Sequence, residues 1–424
     1  MNTENILVER INKANSNAIE RILNSDPFLV DIKTAGELFP EMKENWIFHA
    51  GPPITWDKMP GSTRGAVIGA LLYEKLAQSP EEAINLAASG KVEFKTNHSM
   101  GGVGGMTGII TKSTPLYIIE NKPFKTSAYA GVLTDRLIFG GYDEQAQSDV
   151  KWTNTVLAPA LKEALRLSGG IRIKPLQAQA LHMNDEMHNR SYAATALFIK
   201  TIAPYMAMAV KDSKILADIF RFLDQNPAFF TFIGMGACKA TMLAAHNIEF
   251  STIVSVMSRN GVDFGIWVSG LGDEWFTGPA ANIDGPMFPG HKIEDAENDI
   301  GDSCITETAG IGAFMMAGAP SILRLVGGTV EDTMRYTSEM YEITAGTNPH
   351  FTIPSLNFQS GPIGIDIRKV VEKGIVPIID TAMTHKNPGV GEMIGAGMVV
   401  PPIKPFQDAL RAFSKKYIFR SNGQ

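Results

Sequence analysis

A long block of helical patterns without strand signals occupies the middle of the chain and constrains its fold more than any other feature. Apolar residues recur there at helical spacing over 150–167, 175–183, 186–209 and 212–224. On both sides of the block, β-prone runs, helices and glycine-rich loops alternate. This pattern predicts an α+β multi-domain protein in which two α/β portions flank an inserted all-helical small domain. The predicted domains are an N-terminal α/β domain at 1–142, a helical domain at 143–226 and a C-terminal α/β domain at 227–424.

Asn260-Gly261 is the clearest local signal outside the helical block. It separates two β-prone runs, Thr252–Arg259 and Val262–Ser269. Asn-Gly favours a type I′ turn because both central residues of that turn need a positive φ, so a β-hairpin is predicted here. Two further β-rich runs, Thr107–Thr111 and Leu116–Glu120, are predicted to pair with each other.

Composition excludes several classes of function. The net charge is −6 over 424 residues and no Lys/Arg run occurs, which argues against a nucleic-acid partner. No apolar run reaches the roughly 18 residues of a membrane helix, so no membrane partner is expected. The polar, acidic N-terminus is unlike a signal peptide, and the isolated Cys238 and Cys304 are typical of reduced thiols, which predicts a cytoplasmic protein. Charged residues are only 19%, which indicates surface buried between domains or subunits and favours a homo-oligomer.

The segment His182–Arg190 concentrates reactive side chains. It holds two imidazoles, two carboxylates, two amides and one guanidinium. On a continuous helix, Asp185, His188 and Asn189 would share one face. Such a face suits divalent-metal binding or general acid–base chemistry near neutral pH.

The same segment has a plainer structural interpretation. Glu186 and Arg190 would form an i,i+4 ion pair, Asn184 would cap a second helix, and the histidines would be core residues. The His-Glu-x-x-His zinc motif is absent, so the cofactor stays open, with a divalent metal such as Mg²⁺ as the candidate.

A glycine loop lies between Asn97 and Gly108. Its N–H groups can line an anion site, so it is either a phosphate or carboxylate cradle or a tight structural turn. It is neither a Walker A loop, since the Lys is missing, nor a dinucleotide fingerprint, since Thr107 stands where Gly is needed. His98 beside it is a candidate acid or hydrogen-bond donor. The glycines are Gly101, Gly102, Gly104 and Gly105.

Several other polar residues occupy positions where ligands are commonly bound. Arg64 follows Gly-Ser-Thr at a predicted helix start, which is either an anion pocket or an ordinary cap. Arg259 and Asn260 lie at one end of the predicted hairpin, and Asp273 lies in a loop at the other end. His385 enters a glycine loop after a predicted strand.

An acidic run includes Asp295, Asp299, Asp302 and Glu307. It nearly fits an EF-hand loop, but Gly301 comes one residue late, so that motif is rejected. Asp302 is predicted to cap the apolar helix that follows it, while the roles of Asp299 and Glu307 stay open.

Taken together, ordered motifs over about residues 45–415 resemble the YlbE-like, or AllG-like, bacterial family. The motifs lie at 49–56, 185–190, 258–261, 270–273, 288–290, 299–303, 305–308 and 388–391. The resemblance implies a multi-domain α+β protein with a small helical domain inserted. It also implies an FdrA-like partner protein and a third subunit. One branch of the family is associated with oxamate carbamoyltransferase, which interconverts oxalurate plus phosphate with oxamate plus carbamoyl phosphate.

The leading hypothesis is therefore a subunit of a carbamoyltransferase-type enzyme of nitrogen catabolism, acting on carbamoyl phosphate or a carboxylate amide. Such an enzyme needs an anion pocket, donors to the carbamoyl oxygen and a base for the acceptor nitrogen. The glycine loop and Arg64 would hold phosphate or carboxylate, and Arg259 and Asn260 would bind the acceptor acid. The remaining candidates are His98, His188 and His385 for proton transfer, Asp185 and Glu186 for orienting His188 or binding a metal, and Asn189, Arg190 and Asp273 for binding substrate.

Two other functions stay open. The chain could be a non-catalytic subunit that gates or scaffolds an FdrA-like partner, which its low charge and abundant methionine would suit. A metal-dependent amidohydrolase is the third hypothesis. No catalytic residue is carried over from the family.

Overall fold

A computed structural model describes residues 3–417 of the chain. The α-helices in that range are α1 (Thr3–Asn24), α2 (Ala35–Leu38), α3 (Gly61–Tyr73), α4 (Pro80–Ala88), α5 (Asp135–Ile138), α6 (Glu144–Trp152), α7 (Ala158–Ser168), α8 (Lys174–His182), α9 (Tyr192–Ala209), α10 (Ser213–Gln225), α11 (Phe230–Ala244), α12 (Ile305–Thr308), α13 (Leu323–Val326), α14 (Val330–Ile343), α15 (Ile367–Lys373) and α16 (Lys404–Tyr417). The β-strands are β1 (Pro27–Thr34), β2 (Trp46–His49), β3 (Glu93–Thr96), β4 (Gly102–Val103), β5 (Pro115–Asn121), β6 (Thr126–Gly131), β7 (Ile171–Arg172), β8 (Val254–Asn260), β9 (Asp263–Val268), β10 (Phe276–Pro279), β11 (Ile300–Gly301), β12 (Thr344–Ile353), β13 (Gln359–Ile365), β14 (Ile379–Thr384) and β15 (Met393–Val399). Helices combined with several separate sheets confirm the predicted α+β class.

A mainly antiparallel sheet forms the N-terminal portion, with strand order β4-β6-β5-β1-β7. β5 is central because it is a nearly continuous apolar run, in which Glu120 alone is exposed. α11 packs across β5 and β6. Gly236 permits this close approach, since a Cβ there would lie 2.5 Å from Cδ1 of Ile119.

The helices between 143 and 226 pack directly on that sheet. α7 contacts both β1 and α9, and one buried apolar cluster includes Leu29 of the sheet with Leu161 and Phe198 of the helices. The short strand β7 is the one described strand of this segment, and it pairs with β1. The domain boundaries given above remain predictions.

The C-terminal portion contains a four-stranded sheet of order β10-β9-β8-β11 and two antiparallel hairpins, β12–β13 and β14–β15. A second apolar core, which includes Phe264, Phe314 and Phe406, lies among these elements. Since β14 begins beside the helical segment's loop at 182–190, this portion supplies side chains to the site described below.

The hairpin predicted at Asn260-Gly261 is confirmed, because β8 and β9 run antiparallel. Its turn is not type I′, however, since Gly261 has a φ of +85° and Asn260 does not have a positive φ. The side chain of Asn260 closes the turn instead. Its Oδ1 accepts the N–H groups of Val262 and Asp263 at 2.9 and 2.7 Å.

The strand predicted at Thr107–Thr111 is wrong. This stretch is irregular, Gly108 has a φ of +59°, and Ile110 forms only an isolated bridge with Phe48. The strands that pair with β5 are β6 and β1. Apolar residues of the stretch are buried without joining a sheet, so burial alone produced the strand-like pattern.

Among the described helices, none alone has the length and apolar character needed to cross a membrane, although α10 and α11 together, bent by 74°, meet those two criteria. Both cysteines, Cys238 and Cys304, are buried free thiols.

Candidate functional site

In the segment His182–Arg190, the residues after His182 form a hooked loop between α8 and α9 instead of continuing the helix. Asn184 and Met187 have φ values of +71° and +67°, which a right-handed helix excludes. A tertiary hydrogen bond fixes the hook, because the N–H of Gly312 donates to the carbonyl of Glu186 at 2.9 Å. The expectation that Asp185, His188 and Asn189 share one helix face is therefore wrong.

Glu186 holds the loop in its hooked form. Its carboxylate accepts the backbone N–H groups of His188 and Arg190, both at 2.6 Å. Burial, together with the negative charges of Asp380 and Glu307, raises the pKa of Glu186. The predicted side-chain ion pair between Glu186 and Arg190 is absent from the described contacts, since only the backbone of Arg190 reaches this carboxylate.

Arg190 pairs with Asp185 instead. Its Nη1 also donates to the carbonyl of Asn184 at 2.6 Å. The second oxygen of Asp185 accepts the N–H of Ala194 at 2.9 Å, where the start of α9 favours a carboxylate. Burial raises the pKa of Asp185 to about 6 although these bonds oppose the shift. Asn184 does not cap α9, because its amide bonds to Ser321.

His188 meets two carboxylates from distant parts of the chain. Its Nδ1 lies 2.8 Å from Oε1 of Glu307, on α12, and 3.4 Å from Oδ1 of Asp380, in β14. Burial lowers the pKa of His188 to about 4, so the imidazole is neutral at pH 7. Nε2 of His188 has no hydrogen-bond partner among the described residues.

Glu307 and Asp380 differ in how they are held. Ala313 N–H donates to Oε1 of Glu307 at 3.0 Å, and the Thr306 hydroxyl donates to Oε2 at 2.9 Å. Asp380 is fully buried, and within residues 3–417 neither of its oxygens has a partner at hydrogen-bonding geometry. Burial raises the pKa of both carboxyls to about 7.

The sequence assigns no role to Glu307, and Asp380 is not among the predicted site residues. One signal for Asp380 was present, since it is a carboxylate directly after the apolar run Val376–Ile379 of a predicted strand. A charged residue in a strand that is buried on both faces needs a partner, and that requirement would have marked Asp380.

A cavity of about 810 Å³ opens beside His188. Residues from three parts of the chain line it. Gly105 and Phe139 come from 1–142, Trp152 and Asn189 from 143–226, and Ser303 and Thr381 from 227–424. The π-helical turn Thr153–Leu157, which joins α6 to α7, also begins at this cavity. The site is therefore composite, because no single segment encloses it.

Two buried donors at the cavity lack partners in the described structure. They are Nδ2 of Asn189 and the hydroxyl of Thr134. Buried polar groups are ordinarily hydrogen-bonded, and leaving one unpaired costs roughly 1–3 kcal/mol. A ligand that offers acceptor oxygens would satisfy both groups.

Arg259 is fully buried, and its guanidinium nitrogens already donate hydrogen bonds to oxygens of the protein. Its Nε donates to Oδ2 of Asp299 at 2.7 Å. Its Nη1 donates to the carbonyl of Gly301 at 2.7 Å and to the Ser303 hydroxyl at 3.2 Å, and its Nη2 donates to the Thr381 hydroxyl at 2.8 Å. Arg259 thus fixes two residues that line the cavity, and its contacts do not favour the predicted binding of an acceptor acid.

The glycine loop binds an anion that belongs to the protein. Oδ2 of Asp302 accepts the N–H of Gly104 and the amide of Asn97, both at 2.9 Å. Oδ1 of Asp302 accepts the N–H of Gly51 at 3.0 Å and the Ser258 hydroxyl. The loop is an anion cradle as proposed, but its occupant is Asp302. The predicted helix-capping role of Asp302 is wrong, because its side chain is used here and the following helix has no side-chain cap.

His98 lies on the other side of this carboxylate and away from the cavity. Its Nε2 is 3.2 Å from Oδ1 of Asp302, and its ring packs near Trp267 and Trp275. Burial, with Lys239 nearby, lowers the pKa of His98, so the ring is neutral at pH 7. Burial alone would raise the pKa of Asp302, yet its surroundings lower it to about 2. Since His98 is neutral, we ascribe that lowering chiefly to the four hydrogen-bond donors.

Three other predicted residues also lie apart from the cavity. Arg64 donates to the carbonyl of Asp57 at 2.7 Å. Asp273 is largely exposed and lies 2.8 Å from Nε2 of His246. Nδ1 of His385 accepts a backbone N–H of its own loop at 3.1 Å.

Of the predicted site residues, Gly105, His188 and Asn189 line the cavity. Gly101, with a φ of +74°, and Gly102, in β4, form the entry to the glycine loop. The others shape the hooked loop, close the β8–β9 turn, surround Asp302 or lie elsewhere, as described above.

The fold and the cavity define a class of α+β proteins with a buried histidine–carboxylate cluster beside a composite cavity. The family model described as "Oxamate carbamoyltransferase subunit AllG" matches residues 92–303. The chain belongs to the AllG family.

Two related proteins and one solved structure match this chain over most of its length. "Uncharacterized protein YahG" of Escherichia coli (strain K12) is 45% identical over 414 residues, which are 97% of this chain and 88% of that protein. "Oxamate carbamoyltransferase subunit AllG" of the same organism is 39% identical over 409 residues, which are 95% of this chain and 97% of that protein. A crystal structure of a conserved protein of unknown function from Enterococcus faecalis V583 matches with a TM-score of 0.94 and 44% identity, over 96% of this chain and 99% of that chain.

Proposed function

We propose that this chain is a subunit of an oxamate-carbamoyltransferase-type complex and that the cavity beside His188 binds its substrate. The relative that is 39% identical over most of both chains is named as a subunit of that enzyme. The proposed reaction is transfer of a carbamoyl group between phosphate and the nitrogen of oxamate. The observation that carries the catalytic part of the proposal is the buried contact between His188 and Glu307 at the cavity.

Carbamoyl transfer requires a proton acceptor. The C–N bond of oxalurate forms as the carbamoyl C–O bond to phosphate breaks, and the attacking nitrogen must lose a proton. His188 is neutral at pH 7, since burial lowers its pKa to about 4, and its Nε2 is free of bonds to the described residues. With the Nδ1–H of His188 donating to Glu307, Nε2 can accept that proton while the carboxylate stabilises the imidazolium.

The substrates are anions, and the cavity offers cationic and neutral donors. Arg136 and Arg221 line it, together with the unpaired amide of Asn189. Each arginine forms an ion pair with a nearby carboxylate, Asp143 or Asp218, and these pairs are partly exposed. Exposed ion pairs contribute little free energy, so phosphate or carboxylate groups of a substrate can compete for both arginines.

The test is an assay of phosphate-dependent oxalurate cleavage, with the chain alone and with an FdrA-like protein and the third subunit. The complete complex should cleave oxalurate, and His188→Asn should lower kcat by roughly 10²–10⁴-fold. His182→Asn is the matched control, because this exposed histidine bonds only to Thr352 among the described residues. Failure of the complete complex to cleave oxalurate would refute the reaction. Full activity of a folded His188→Asn complex would leave the chain a non-catalytic scaffold subunit.

A further inference from the structure

We infer that His188, Glu307 and Asp380 bind a divalent transition-metal ion at the cavity. The inference rests on the proposed function for what the ion does, but not for where it binds. The three residues come from the hooked loop, α12 and β14, so the site exists only in the folded chain.

The spacing of the three side chains suits one ion. One nitrogen of His188 and one oxygen from each carboxyl all lie within 4.8 Å of one another. Metal–ligand bonds of about 2.1 Å place neighbouring ligand atoms roughly 3.0–3.4 Å apart. The 3.4 Å between His188 Nδ1 and Asp380 Oδ1 already has this value, and the 2.8 Å between Nδ1 and Glu307 Oε1 would have to lengthen only slightly.

Three buried carboxyl groups meet in this cluster without a Lys or Arg partner among the described residues. Glu186, Glu307 and Asp380 are each fully buried, and among residues 3–417 none of them forms a salt bridge with Lys or Arg. The buried Arg259 is paired with a different carboxylate, Asp299. Buried carboxylates are otherwise stable only when protonated or paired, so a cation at this point would remove a large desolvation cost.

The unpartnered state of Asp380 is the second, independent observation. No N–H or O–H donor of a described residue meets hydrogen-bonding geometry at either oxygen of this wholly buried side chain, although nearly all buried polar atoms have such a donor. The groups nearest to it are the other two proposed ligands, the Glu307 carboxyl and Nδ1 of His188. No hydrogen bond joins Glu186 to Asp380, and both Glu186 oxygens accept backbone N–H groups. Oxygens with unused lone pairs, beside an imidazole nitrogen, are what a metal ion requires.

The ligand set indicates the kind of ion. One imidazole and two carboxylates favour Mn²⁺ or Zn²⁺ over Mg²⁺, which prefers oxygen ligands alone. The cavity, which Ser303 and Thr381 also line, leaves room for further ligands from substrate or solvent. The ion would supply positive charge for a carbonyl or phosphate oxygen of the substrate.

Metal binding would change the part played by His188. With an ion on Nδ1, the ring hydrogen would lie on Nε2, so His188 would donate a hydrogen bond towards the ligand instead of accepting a proton. A neutral imidazole on a metal ion holds that hydrogen too strongly to act as an acid at pH 7, so its part in the metal-loaded chain would be to orient a substrate oxygen.

The experiment measures bound metal directly. The full chain is stripped with EDTA, dialysed against Mn²⁺ or Zn²⁺ and analysed by mass spectrometry for metal content. Wild type should hold about one ion per chain, and Glu307→Gln and Asp380→Asn should weaken binding at least 10-fold. Asp273→Asn is the matched control, since it alters a second histidine–carboxylate pair with His246, and it should bind like wild type.

Two results would overturn the inference, namely a wild-type chain that retains no ion, or variants that bind as tightly as wild type. If neither variant folds, electron spin-echo spectra of wild type loaded with Mn²⁺ decide the matter, because a histidine nitrogen on the ion is required. A metal-loaded chain whose complex cleaves no oxalurate would disprove the proposed function alone. An active complex of metal-free chains would disprove the part given to the ion in the reaction.

Discussion

Nδ1 of His188 lies 2.8 Å from Oε1 of Glu307, although 119 positions separate the two residues in sequence. His188 reaches this position because Glu186 accepts two backbone N–H groups of the hooked loop. Glu307 is held in turn by Ala313 and Thr306. The contact therefore joins two backbone segments that are each held by buried hydrogen bonds, and changes at either one should have measurable effects.

Replacement of Glu307 by glutamine should reduce catalysis without changing substrate affinity. Glu307 does not line the cavity, so KM should stay near its wild-type value, while kcat should fall by roughly 10²–10⁴-fold as imidazolium stabilisation is lost. Steady-state kinetics of the complex measures both. Glu339→Gln, in an exposed ion pair with Arg335, is the control and should leave both kcat and KM unchanged. Wild-type kcat in a folded Glu307→Gln chain would contradict the role.

Gly312→Ala should disturb the site through Glu307. A Cβ at Gly312 would lie 2.2 Å from Oε1 of Glu307, and Gly312 has a φ of +65°. Gly374 provides a matched control, with a φ of +66° and no atom within 4 Å of an added Cβ. Both substitutions should cost roughly 1–2 kcal/mol from the backbone conformation alone, as measured by urea unfolding. Only Gly312→Ala should also lower kcat at least 10-fold, and equal activities would show that Glu307 tolerates displacement.

Asn189→Ala should weaken substrate binding and leave stability nearly unchanged. Nδ2 of Asn189 has no partner in the described structure, so its removal breaks no native hydrogen bond. Loss of one hydrogen bond to the substrate should raise KM by about 10-fold. Thermal unfolding and kinetics together test this, with the exposed Asn12→Ala as the control. A large drop in stability with unchanged KM would assign Asn189 a structural role instead.

Asp302 should make stability depend on acid pH. Its pKa in the folded chain, about 2, is below the ordinary value of 3.8, so its contribution is complete above about pH 4 and is lost as the pH falls towards 2. That contribution is about 2 kcal/mol. Asp302→Asn should lower the free energy of unfolding at pH 7 by at least that amount and flatten its decline between pH 4 and 2. Asp273→Asn, at a largely exposed carboxylate, serves as the control, and identical acid profiles for wild type and Asp302→Asn would refute this assignment.

Local patterns predicted the elements whose formation depends on nearby residues. Helical periodicity identified the central helices, and Asn260-Gly261 identified the β8–β9 hairpin. The density of reactive groups in the segment His182–Arg190 identified the loop that carries His188 to the cavity. In each case the sequence pattern and the element that it predicts occupy the same short stretch of the chain.

Contacts between distant residues were not predictable in this way. The segment around Asn184 and Met187 has helix-compatible composition, yet it takes positive φ values because Glu186 and Gly312 fix it from outside. The glycine loop had the right chemistry for an anion, but only the folded chain shows that the anion is Asp302.

Local sequence patterns determined the α+β class, the helices between 143 and 226 and the segment that bears His188, although they did not predict α11. Only the folded chain shows which carboxylates His188 contacts and that Arg259 binds other groups of the protein. It also shows that residues from three parts of the chain line one cavity. The reason is physical. Secondary structure follows from local periodicity and turn chemistry, whereas a buried charge selects its partner only once packing has excluded water and brought distant groups together.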